Sequence, residues 1–82
     1  MSYEMYEVVK QYNFEIHGFG QVKADIIKCI KPELNAPYMW RTNYMHDGYA
    51  PNHGLSFQNA ETELLYYIEH FDAKSAQLDP NF

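Results

Sequence analysis

The segment that most constrains the fold is Asn59-Ala60-Glu61-Thr62-Glu63-Leu64-Leu65-Tyr66-Tyr67-Ile68-Glu69-His70-Phe71. Ala60, Leu64, Tyr67, Ile68 and Phe71 recur at helical spacing, which predicts an amphipathic helix with one apolar face. Asn59 is the expected N-cap, its side chain accepting from a free first-turn amide. That start places Glu61 and Glu63 near the positive end of the helix dipole. A helix this short is marginal alone in water. It needs a surface, and the chain before it supplies one.

Residues 5–17 alternate with a period of two. Tyr6, Val8, Tyr12, Phe14 and Ile16 share one parity, and Glu7, Gln11, Asn13, Glu15 and His17 the other. This predicts a long strand, followed by a hairpin connection at His17-Gly18-Phe19-Gly20. Residues 21–31 continue with Val22, Ala24, Ile26 and Ile30 on one parity. With Gly18–Gly20 as the loop, Ile16 faces Val22, Phe14 faces Ala24 and Tyr12 faces Ile26. That register sets Lys10 against Lys28, a repulsion that a bulge near Ile27 relieves by turning Ile27 or Cys29 inward. Val22, Ile26, Cys29 and Ile30 also fit one helical face ending before Pro32. A glycine-flanked turn joining two compatible parities favours the strand.

Lys31–Pro37 reads as a connection and Tyr38–Met45 as a third strand, with Tyr38, Trp40 and Tyr44 on its aromatic parity. His46–Gly54 reads as loop, and Leu55 or Phe57 is expected to cover the first helical turn. Residues 73–82 read as a polar tail pinned by Leu78 or Phe82. The expected fold is one α+β domain over residues 1–82: a small antiparallel sheet of about three strands, ordered β-β-β-α, with one C-terminal amphipathic helix packed on it.

Eleven acidic residues against six basic give a net charge of −5. A binder that tracks nucleic-acid phosphates needs the opposite sign. The single Cys29 excludes an internal disulfide, and its neighbours Ile27 and Ile30 make it a buried thiol. The acidic start Met1–Glu7 has no apolar signal core, and no apolar run approaches membrane-spanning length. A soluble cytoplasmic protein without cofactors is the expectation.

Candidate chemistry is sparse. His46, Asp47 and His53 share a loop and carry metal-compatible donors, but their spacing matches no standard site. Asp25 with Glu15, and Glu61 with Glu63, read as solvated carboxylates. Gly18-Phe19-Gly20 lacks the further glycine of a phosphate loop. The aromatic strand suits recognition better. If its Trp40 and Tyr44 parity is buried, Met39, Arg41, Met45 and Tyr49 remain for a protein partner. On the helix, Glu61, Tyr66 and Glu69, with Asp72 beyond it, form an acidic face able to imitate a row of phosphates.

The layout resembles the small phage-encoded anti-CRISPR proteins. The chain is short, acidic and tyrosine-rich, and Gly54-Leu55-Ser56-Phe57-Gln58-Asn59-Ala60-Glu61-Thr62-Glu63-Leu64-Leu65 has the aromatic-then-capped-helix shape seen among them. The resemblance implies a non-enzymatic inhibitor that blocks a bacterial defence nucleoprotein complex by occupying a basic nucleic-acid channel, without binding nucleic acid or membrane itself. Two further readings compete with it. One is a structural or adaptor module that homodimerises along a sheet edge. The other is a small metal enzyme using His46, Asp47 and His53.

Overall fold

The computed structural model describes residues 1–44, 53–80 and 82. Among these, the chain runs β1 (Met5–Ile16), β2 (Gly20–Lys31), β3 (Tyr38–Thr42), β4 (His53–Gly54) and α1 (Phe57–Glu69). The sheet is antiparallel in the order β1-β2-β3-β4, with β1 and β4 at its edges. This is the expected α+β arrangement with one strand more. Residues 21–31 are strand throughout, so the helical alternative falls. The added strand, β4, is only two residues long and lies at the end of the stretch read as loop.

The hairpin register differs from expectation by two residues. Ile16 pairs with Gly20, Phe14 with Val22 and Tyr12 with Ala24, so the loop is His17-Gly18-Phe19. Gly18 at φ 84° and Gly20 at φ 134° both occupy backbone conformations that favour glycine. The Phe19 amide closes the turn on the Ile16 carbonyl at 3.0 Å. The Lys10–Lys28 repulsion is avoided by this register itself, and a bulge lies on β1 just beyond Lys10 rather than near Ile27. Lys10 pairs with Ile26 and Val8 with Ile27, leaving Val9 extra. Glu7 then sits opposite Lys28, a favourable cross-strand pair.

Ile26, Leu64 and Val22 are the largest fully buried side chains. Ala24, Ile26 and Trp40 of the sheet meet Ala60 and Leu64 of α1, with Tyr12, Phe14, Tyr38, Phe57, Tyr67 and Ile68 packed around them. Full burial of an aliphatic side chain contributes about 1.5–3 kcal/mol. Phe71, just past the helix, closes a second aromatic group with Phe19 at 4.9 Å and Tyr44 at 5.5 Å between ring centroids. The expected apolar face of the helix is therefore the face that packs.

The N-cap is Ser56 rather than Asn59. Its Oγ accepts from the Asn59 amide at 3.1 Å, and α1 begins three residues earlier than expected. Glu61 and Glu63 consequently fall beyond the first turn, which holds no acidic residue. Leu55 is exposed, so only Phe57 covers the helix start. A Cβ at Gly54 would stand 3.1 Å from the Ala60 amide nitrogen, and this close approach lets β4 abut the helix. The tail is held by its backbone, since Leu78 bridges to Tyr44 and the Asp79 amide donates to the Asn43 carbonyl at 2.9 Å.

Candidate interaction surface

β1 is a twelve-residue edge strand with β2 on one side and, among the described residues, no strand on the other. At about 3.3 Å per residue it spans roughly 40 Å, nearly the 44 Å long axis of the molecule. Its two halves differ. Tyr12, Phe14 and Ile16 are partly buried on the helix side, whereas every residue from Met5 to Gln11 is exposed. Tyr3, Met5, Tyr6, Val8, Val9 and Leu34 are all exposed large apolar side chains in this region. β3 pairs with β2 only as far as Lys28, so beyond it the hairpin extends as a two-stranded arm.

The seam between the covered and bare halves is polar. The Tyr12 hydroxyl donates to Glu61 at 2.5 Å, and the Lys10 ammonium reaches the same carboxylate at 3.3 Å. The Tyr12 bond, then Lys10, hold Glu61 below the usual carboxylate range. Burial, and then Glu61, push the Tyr12 hydroxyl above the ordinary phenol range. The Lys10 ammonium also lies 5.0 Å from the Tyr12 ring centroid and 5.9 Å from that of Phe57.

The sequence-derived partner residues separate into distinct places. Arg41 lies directly opposite Asp25 and donates to it through Nε at 2.8 Å and Nη2 at 2.6 Å. Asp25 is buried, so it does not belong to a solvated carboxylate face, and Arg41 is committed to it. The Phe82 ring also stands 5.5 Å from the guanidinium. Met39 is partly buried and pairs with Ile27. Glu61 faces the hairpin rather than solvent alone, and Glu63 accepts from the Trp40 indole at 3.3 Å. Tyr66 and Glu69 are exposed, with Tyr66 stacked on His70 at 4.1 Å. Asp72 accepts from the Ser75 hydroxyl at 2.9 Å and the Lys74 amide at 3.0 Å, and these bonds, the hydroxyl's first, lower its pKa.

Met45 and Tyr49 lie outside the described residues, as do His46 and Asp47 of the candidate metal trio. His53 is described, with Nδ1 3.1 Å from the Ala36 carbonyl. Among the described residues no group of three or more His, Cys, Asp or Glu is placed to hold a metal ion, and no helix is long and apolar enough to cross a membrane. The Cys29 thiol is buried and donates to the Pro32 carbonyl at 3.3 Å.

Sequence reasoning read the alternation of β1 but not its bare half. Alternation predicts one buried face, but the extra residue Val9 turns Tyr6 and Val8 away from the helix side, and α1 covers only the half toward Ile16. The chain matches no family model, no curated protein and no solved structure.

Proposed function

We propose that this protein is a non-enzymatic, protein-binding inhibitor, of the kind the anti-CRISPR resemblance implies, directed at a basic nucleoprotein complex. The observation that carries protein binding is the open β1 edge. It offers the outward backbone groups of an edge strand along Met5–Gln11, which pair with no strand among the described residues, beside exposed aromatic and branched side chains. The net charge of −5 supplies the sign of the target, which is basic. Exposed Tyr66 and Glu69 on the back of α1 supply a tyrosine-and-carboxylate surface that a basic channel accepts.

The test is capture from bacterial lysate with the untagged protein as bait, washed at low and high salt, with mass spectrometry of what remains. A large basic nucleoprotein complex, lost at high salt and weakened by Glu69→Lys, is the expected result. Failure to retain any basic nucleoprotein at low salt refutes the inhibitor reading. Recovery of the bait alone favours the other reading the edge supports, a module that assembles with itself along β1.

A further inference from the structure

We infer that β1 pairs antiparallel with β1 of a second copy, about a two-fold axis between Val8 and Val9, with Glu7 opposite the second copy's Lys10. The inference rests on reading β1 as the contact surface and names what occupies it.

Lys10 and Tyr12 lie on the helix side of the sheet, because both reach Glu61 of α1 and their partners Ile26 and Ala24 are in the core. By alternation, Gln11, Asn13 and Glu15 lie on the far side. The extra residue Val9 reverses this parity. Val8, opposite Ile27, is on the far side. Glu7, opposite Lys28, is on the helix side, and Tyr6, opposite Cys29, is on the far side.

Two strands joined antiparallel about a two-fold axis must oppose residues of the same face. The proposed register does so on both sides of the bulge. Glu7 meets Lys10 on the helix side, while Tyr6 meets Gln11 on the far side. Sliding the copies so that Glu7 meets Tyr12 also matches faces but removes the charge pairing. Centring the axis on Asn13 sets Lys10 against Ile16 and Glu15 against Gln11, again without an ion pair. Among these registers, face matching and charge complementarity together select one. It places at the axis Val8 and Val9, which are 50% and 42% exposed.

The bulge also explains why the partner is a copy. Bulges on edge strands discourage pairing with regular strands, because the inserted residue throws the two out of step. Two identical bulges related by the two-fold axis each insert one residue and so remain in step. A regular foreign strand matches faces on only one side of Val9. Lys10 is able to serve both carboxylates, since its side chain is 54% exposed beside Glu61 and the ammonium has three donors.

The experiment is light scattering across a concentration series, on the wild-type chain and three charge variants. The wild type is expected to approach twice the 9.7 kDa chain mass as concentration rises. Glu7→Lys and Lys10→Glu each place two like pairs across the axis and weaken the dimer about tenfold or more. The double variant Glu7→Lys/Lys10→Glu restores it to within about threefold of wild type. The double variant repairs neither Glu7–Lys28 nor Lys10–Glu61 within one chain. Mixing the two single variants sets a lysine of one chain against a glutamate of the other at both pairs across the axis, and must give a mixed dimer tighter than either variant forms alone.

Should a charge variant fail to fold by circular dichroism, cysteines take its place. Glu7→Cys/Lys10→Cys forms an interchain disulfide under mild oxidation, and Glu7→Cys alone does not. A chain that stays monomeric overturns the inference. A dimer indifferent to both single swaps also overturns this register, while leaving the open edge as a contact surface. A monomer that captures a foreign protein, with capture lost in Val8→Lys, overturns the second copy as occupant but preserves the surface.

Discussion

Toward Ile16 the outer strand β1 lies under α1, and toward Met5 the same strand lies bare beside a β2 that stays buried. Both ends are rich in aromatic and branched residues, so composition alone does not separate them. The difference is the reach of the helix together with the bulge at Val9, which reverses the faces of β1. Ala60 and Leu64 meet Ala24, Ile26 and Trp40, and Tyr12 and Phe14 fold in beside them. Tyr6 and Val8, turned to the far side of the sheet by the extra residue Val9, stay exposed. A strand longer than the element that covers it thus becomes core at one end and contact surface at the other.

Truncation should separate the two ends most sharply. Leu64→Ala removes a fully buried side chain, and the lost burial plus the cavity cost about 2–5 kcal/mol. Val8→Ala, in the bare half, is expected to change monomer stability by no more than about 0.5 kcal/mol. Denaturant unfolding at low protein concentration measures both. Similar losses at the two positions would erase the contrast and mean that the arm is packed in solution.

The far face of the sheet provides an intermediate case. Arg41→Ala leaves Asp25 buried without its bidentate partner, at an expected cost of about 3 kcal/mol. Asp25→Asn costs less, because the Arg41 side chain is 44% exposed and water solvates what remains. Equal losses from the two variants would show that Asp25 is more hydrated than its burial indicates.

Ser56→Ala removes the cap from α1 and is expected to cost about 1 kcal/mol. Asn59→Ala, which keeps the amide that Ser56 accepts from, costs less. Thermal melts of the pair distinguish the two caps. This position also shows the limits of reading the chain locally. Ser56 and Asn59 are both good caps by residue type, and their three-residue spacing was the available signal that Oγ of the first reaches the amide of the second. The apolar stripe of Ala60, Leu64, Tyr67 and Ile68 was legible because helical periodicity repeats over several turns. The hairpin register was not, because two glycines permit more than one closure and a two-residue slip preserves every face. The Asp25–Arg41 pair depends on how β2 meets β3, which no local pattern encodes. β4, with two residues, is too short to show any period. The bare half of β1 was invisible for a related reason, since it reflects a bulge at Val9 and where α1 stops covering the hairpin.

The smallest effect belongs to the seam itself, where Lys10, Tyr12 and Glu61 join the hairpin to the helix. Glu61 is held below the usual carboxylate range in the folded chain, chiefly by the Tyr12 hydroxyl and then by Lys10. A lowered carboxylate contributes stability that is present above its unfolded pKa and lost as pH falls through its folded one. Tyr12, raised by burial and by Glu61, contributes stability that is present below its unfolded pKa and lost as pH rises through its folded one. The seam is therefore strongest between these limits and loosens toward both acid and alkali. Tyr12→Phe removes the main cause at Glu61, so its carboxylate titrates at higher pH, closer to the ordinary glutamate value. Carbon NMR titration of the Glu61 carboxylate in the two chains reads this directly. A midpoint unmoved by Tyr12→Phe would show that Lys10 alone sets the charge on Glu61, and that the boundary between the covered and bare halves is an ion pair rather than a hydrogen-bonded latch.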